Sequence, residues 1–160
     1  MQITAKKLID ALRRKGLKIS SAESCTGGLI AKRITDVPGA SDVYEASVVT
    51  YSNRIKTLLL GVDDSILASK GAVCAETAQS MAKGLCRLTD ADVCIATTGI
   101  AGPGGGTPTK PVGLVYMAVY VKPTDTLKVT ELRLNGTRAA VRSQTVQKAF
   151  ETAFEMIKEV

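Results

Sequence analysis

The sequence predicts an α/β fold, a three-layer α/β/α sandwich around a mixed sheet, built as one domain over residues 1–160. Three observations predict it. Helix-patterned and strand-patterned segments alternate through the first two-thirds of the chain. The run from Asp92 to Thr98 is short and nearly all apolar, as suits a central strand covered on both faces. Two further strand-like runs, 112–121 and 127–134, flank Lys122-Pro123-Thr124-Asp125, the pattern of an antiparallel hairpin.

The elements follow in order. Leu8, Ala11 and Leu12 share one helical face within residues 3–15, and Gly16 is a natural stop. A strand is expected at 17–21 and a helix at 25–35, broken by Val37-Pro38-Gly39-Ala40. Val43 to Tyr51 is β-prone, above all at Ser47-Val48-Val49-Thr50-Tyr51. Ser52 then suits the N-cap of a helix from Asn53 to Leu60, closed by Gly61. Asp63 or Asp64 starts a short helix reaching Lys70, and a longer helix covers Ala75 to Leu88 with Ala78, Met81, Ala82 and Leu85 on one face. Ile100 to Pro111 is a long Gly/Pro loop. Thr137 caps a last helix whose inner face carries Val141, Val146, Phe150, Phe154 and Ile157.

Composition bounds the function. With 160 residues, 45% hydrophobic and 22% charged, the chain can bury a core without disulfide or metal staples. No apolar run is long enough to span a bilayer, and the first residues lack the apolar stretch of a secretory signal, so a soluble cytoplasmic protein is expected. The four cysteines include no C-x-x-C pair, and there is no histidine. A zinc site is therefore not expected, and neither Ser-His-Asp nor Cys-His catalysis is available. Lys, Tyr or a carboxylate must serve as any base. The net charge of +6 is spread along the chain. Its densest group, Arg13-Arg14-Lys15, complements a helix C-terminus. Four Tyr and two Phe are too scattered to form a base-stacking platform, so no nucleic-acid partner is expected. The charge does suit a small anionic ligand such as a phosphate ester.

Three polar segments each lie where a strand should end: Glu23-Ser24-Cys25-Thr26-Gly27-Gly28, Thr50-Tyr51-Ser52-Asn53-Arg54-Ile55-Lys56, and the stretch from Thr97 through Gly99 and Gly102 to Gly106. In open α/β sheets ligands bind outside the carboxyl ends of the strands. Ser24 is the leading nucleophile, on a turn whose backbone N–H groups suit an oxyanion, although helix capping alone would also explain a serine there. Cys25 is its rival, because a thiol at a helix N-terminus has a lowered pKa. From the residues alone the choice between them stays open. Lys56 is the candidate base if burial depresses its pKa, and Tyr51 could fix it or relay a proton. Gly27 and Gly28 allow close approach of a ligand to the backbone. The glycine loop suits a pocket lined by backbone amides. Arg138 and Arg142, one turn apart, could reach an anion together.

Four ordered motifs, "AESCTGG" at 22–28, "VTYSN" with Lys56 at 49–56, "TGIAGPGGGTPTKPVGLVY" at 98–116 and "TRAAVRSQ" at 137–144, together resemble the CinA C-terminal domain family over essentially the whole chain. Stand-alone members of that family are nicotinamide mononucleotide (NMN) deamidases, which hydrolyse NMN to nicotinate mononucleotide and ammonia. The resemblance implies Ser24 as nucleophile, Lys56 as base and Tyr51 close by. It places Glu23, Cys25, Thr26, Gly27, Gly28, Thr98, Gly99, Gly102 and Arg142 in contact with a small-molecule nucleotide substrate. It implies no cofactor and no metal, no membrane partner, and a homodimer or larger homo-oligomer. The molybdopterin-binding-like amino-terminal domain of full-length relatives is not expected in this chain. One departure stands out: relatives usually carry Ser after Gly-Ala-Val, where this chain has Cys74, at a position that reads as a helix cap.

Overall fold

A computed structural model describes residues 2–160. Helix α1 (Ala5–Lys15) starts where the Thr4 side chain accepts from Lys7 N, and ends where Gly16 turns left-handed at φ 66°. Its last turn carries Arg13, Arg14 and Lys15, cations placed against the negative end of the helix dipole. Strand β1 (Ile19–Glu23) is buried along its whole length. Helix α2 (Leu29–Thr35) leads through a 3-10 turn to β2 (Tyr44–Val49). Helix α3 (Asn53–Leu60), capped by Ser52, and the short α4 (Asp64–Ser69), capped by Asp63, precede the long α5 (Ala75–Thr89). Strands β3 (Val93–Gly99), β4 (Leu114–Val121) and β5 (Thr126–Arg133) complete the sheet, and α6 (Arg138–Met156), capped by Thr137, follows before a final 3-10 turn.

The sheet order is β2-β1-β3-β4-β5. β1 pairs in parallel with both β2 and β3, whereas β4 runs antiparallel to β3 and to β5, so the sheet is mixed. Side-chain alternation divides the core between its two faces. Ile19, Val93, Ile95, Met117, Val119 and Val121 pack with α1, α2 and α6 through Leu8, Leu12, Ile30, Ile34 and Phe150. Ala22, Cys94, Ala96 and Ala118 face the other way, onto Ala78, Met81, Ala82 and Leu85 of α5. One face is therefore built from large side chains and the other from small ones, which lets α5 lie close on the sheet. Gly84 carries the same economy to the next layer: a Cβ there would sit 1.9 Å from Leu60 O of α3. Among the described residues no helix is long and apolar enough to cross a membrane.

Two differences from the sequence reading bear on the site. β1 continues to Glu23, because Ser24 N still donates to Thr97 O at 3.0 Å and holds the ladder past residue 21. α2 begins at Leu29 rather than at residue 25, since Gly27 and Gly28 adopt φ 55° and 98°, outside the right-handed helical region. Ser24 is thus not a helix cap. It occupies an irregular turn between a strand end and a helix that starts five residues later.

Candidate active site

Register brings the three polar segments together. Glu23 is opposite Val49 on one side and Thr97 on the other, so the next residues of the three parallel strands, Ser24, Thr50 and Thr98, emerge side by side at the carboxyl edge. A pocket of about 290 Å³ opens there, lined by Ser24, Cys25, Tyr51, Lys56, the 72–73 segment, Thr98 to Gly102, Gly104, Gly105 and Arg138.

Lys56 is the pocket's most unusual side chain. It lies in the first turns of α3, and its side chain folds back beneath the Thr50-Tyr51 backbone until only 1% of the residue is exposed. The amine has three polar neighbours: Thr50 O at 2.7 Å, Tyr51 O at 3.3 Å and Ser24 Oγ at 3.0 Å. Two of these are carbonyls, which can only accept. No carboxylate pairs with the amine. Burial holds its pKa below the ordinary lysine value, with the neighbouring Cys25 working weakly in the opposite direction. In the neutral form that a lowered pKa favours, the two N–H groups would serve the two carbonyls and the lone pair would meet the serine hydroxyl.

Cys25 has a different character. It packs with Ala101, Val115 and Val141 in a small apolar cluster. Burial pushes its thiol up to about 11, well away from the thiolate. The expected helix N-terminus that would have lowered it starts at Leu29 instead. Ser24 Oγ thus lies 3.0 Å from the amine, whereas burial disfavours the thiolate of Cys25.

Glu23 does not line the pocket. It is completely buried, and its carboxylate accepts from Gly28 N, Ile30 N and Ala31 N at 3.2, 2.9 and 3.1 Å. The hydroxyls of Ser21 and Ser47, 2.7 Å from each other, lie against Oε2 at 3.3 and 3.0 Å. Glu23 caps α2 from outside, neutralising the orphan amides of its first turn, and pins both flanks of the Ser24 turn. Thr26, also buried, bonds Thr97 across the turn at 2.8 Å. Arg142 reaches beneath the turn, where its guanidinium donates to Thr26 O at 2.7 Å. Glu23, Thr26, Gly27, Gly28 and Arg142, expected as substrate contacts, thus shape the turn from behind.

Thr98 and Gly99 do form the pocket wall, and Thr98 Oγ1 ties β3 to Ala72 O at 2.8 Å. Tyr51 sits on the rim, 62% exposed, with its hydroxyl accepting from Arg138 at 3.2 Å. Its carbonyl, not its phenol, holds Lys56. Arg138 also donates to Gly102 O at 2.8 Å, bridging the glycine loop to the rim. Of the two arginines a turn apart, then, one faces the pocket and one props the turn. Thr50 was missed as a site residue, since its contribution is a backbone carbonyl and no side-chain pattern signals that. Among the described residues no three His, Cys, Asp or Glu side chains gather as a metal site.

A family model for the CinA C-terminal domain matches residues 1–157. A CinA-like protein of Dictyoglomus thermophilum is 45% identical over 144 residues, covering 90% of this chain and 34% of that protein. One of Thermotoga neapolitana is 40% identical over 152 residues, 95% of this chain and 36% of the relative. The chain spans about a third of the length of the curated relatives it matches. Among solved structures, the competence/damage inducible protein CihA from Agrobacterium tumefaciens superposes with a TM-score of 0.90 at 39% identity, covering 95% of this chain and 96% of that one. A CinA superfamily protein from Klebsiella pneumoniae gives a TM-score of 0.91 at 31% identity, covering 99% of this chain and all of its own.

Proposed function

The chain belongs to the CinA C-terminal domain family, and on that premise we propose that it hydrolyses the carboxamide of NMN to nicotinate mononucleotide and ammonia by a serine–lysine mechanism. The observation that carries this reading is the position of the buried Lys56 amine, 3.0 Å from Ser24 Oγ and held against two carbonyls.

The steps follow from that arrangement. Neutral Lys56 takes the Ser24 proton as Oγ attacks the carboxamide carbon, which the pyridinium charge makes more electrophilic. The tetrahedral oxyanion needs backbone donors. In the turn, the N–H groups of Ser24, Gly27, Gly28 and Leu29 are already bonded to Thr97 O, Ser24 O, Glu23 and Thr26 O. Of the remaining amides, that of Cys25, which lines the pocket, is the donor placed to meet an oxyanion. Protonated Lys56 returns its proton to the departing ammonia, and water then cleaves the acyl-serine by the same route in reverse. Arg138 at the rim suits the charge of a nucleotide phosphate.

The test is ammonia release by the purified chain from NMN, nicotinamide and glutamine side by side. Release from NMN alone is expected, and Ser24→Ala should lower it on the order of 10⁴-fold or more with an unchanged circular dichroism spectrum. Turnover at the parent rate by Ser24→Ala would refute the nucleophile, and preference for another amide would reassign the substrate. The competence and damage names of the solved relatives motivate a second reading, a non-enzymatic module in those responses. It requires salt-sensitive DNA binding and no amide turnover.

A further inference from the structure

Beyond the pocket, a second group of nucleophilic side chains gathers where α5 ends and β3 begins. Cys86, in the last turns of α5, and Cys94, the second residue of β3, reach for one acceptor: each Sγ lies 3.7 Å from Ala91 O. Sharing that acceptor places the two sulfurs near each other. Both are free thiols. Cys94 is fully buried, whereas Cys86 is half-buried and open to small solutes. The connection between helix and strand is only Asp90 to Asp92, tightened by the left-handed backbone of Asp90 at φ 56°, so the two sulfurs are held together by a short, folded segment. Burial pushes the Cys94 thiol up, and Lys122, anchored on Asp90 O and Asp90 Oδ1 at 3.0 and 2.9 Å, works weakly in the opposite direction. A half-buried thiol backed by a second, buried thiol is the setting in which an oxidised sulfur is resolved as a disulfide.

We propose that Cys86 and Cys94 are an oxidisable dithiol that closes to an intramolecular disulfide when the protein meets a peroxide. Cys86, the accessible member, attacks one peroxide oxygen as the thiolate; the O–O bond breaks, the second oxygen leaves as water after taking up a proton, and Cys86 becomes a sulfenic acid. Cys94 sulfur then displaces the sulfenic oxygen, which departs as a second water, and the S–S bond forms. The two thiols together lose two protons and two electrons, and the peroxide gains them. The new bond staples the end of α5 to β3. Those two elements also reach the pocket at their other ends, through the 72–73 segment that precedes α5 and through Thr98.

The experiment treats the full chain with hydrogen peroxide and measures intact mass, free thiols under denaturing conditions and disulfide-linked peptides. The expected result is a titre falling from four thiols to two, a loss of two hydrogen masses, and a linked peptide joining Cys86 to Cys94 that a dithiol reductant reopens. In Cys94→Ser the reaction should stop at a Cys86 sulfenic acid that a dimedone-type reagent traps, while Cys74→Ser should retain the linkage. Four titratable thiols after treatment, oxygen added to Cys86 of the parent chain without a linkage, or linkage to a second chain would each overturn the proposal. Because the parent chain alone gives the decisive reading, the outcome does not depend on either variant folding.

Discussion

Replacing Lys56 with Met tests whether the amine is neutral in the folded protein. Methionine preserves the length of the side chain and removes only the titrating group. Burial holds the folded-state pKa below the ordinary value of 10.5. The sign follows from proton linkage. Between the folded and unfolded pKa values the unfolded chain binds the extra proton, so parent stability rises with pH through that window. It is highest above the unfolded pKa, falls as pH drops toward the folded pKa, and is flat below it. Each tenfold change in the acid dissociation constant of the amine amounts to about 1.4 kcal/mol. Lys56→Met lacks this contribution, and it also leaves Thr50 O and Tyr51 O without their donor, a cost of about 1–3 kcal/mol apiece that does not vary with pH. Subtracting the two denaturant-derived stabilities at successive pH values therefore cancels the constant losses and isolates the titration. The difference, parent minus variant, should grow as pH is raised from neutrality toward 10.5. Two parallel curves would show the amine protonated in the fold, and the base role would be lost.

Further outcomes follow from other contacts. Glu23→Gln replaces a carboxylate that accepts from three backbone amides with a group owning one acceptor oxygen; urea unfolding should show a loss of about 2–4 kcal/mol. Cys74 stands at the N-cap of α5 in extended geometry without a side-chain cap bond. Cys74→Ser should add about 1 kcal/mol and raise the melting temperature by roughly 2–4 °C, measured by calorimetry. Gly84→Ala gains helix propensity but drives a methyl to within 1.9 Å of Leu60 O. A net destabilisation of at least about 2 kcal/mol is expected, and unchanged stability would show that α3 can slide away from α5.

Much of this protein was legible from local chemistry. Caps and stops at Ser52, Gly61, Thr137 and Gly16 act within one turn of their own position, so each marks a helix end wherever the helix is finally placed. The buried character of β3 and the hairpin of β4 and β5 follow from composition and turn residues in the same way. The start of α2 was not legible, because the hydrophobic period continues through a turn that Gly27 and Gly28 bend left-handed. Side-chain type named Ser24, Lys56 and Arg142 but could not distinguish a group that faces a ligand from one that props a loop. Arg138 and Arg142 are alike in kind and a turn apart, yet the ~6 Å rise and ~40° rotation over four helix residues send one to the rim and the other beneath the Ser24 turn.

By itself, then, the sequence determined the elements, the layer order and the absence of any histidine base, since these depend on residue type and short-range spacing. Only the tertiary structure decided that Thr50 and Tyr51 present carbonyls to the Lys56 amine, that Cys25 is buried as a thiol, and that Glu23 is spent on the helix amides. The reason is physical. Desolvation and hydrogen bonding act over a few ångströms between strands far apart in the chain, and parallel pairing of β1 with both β2 and β3 is what sets those distances.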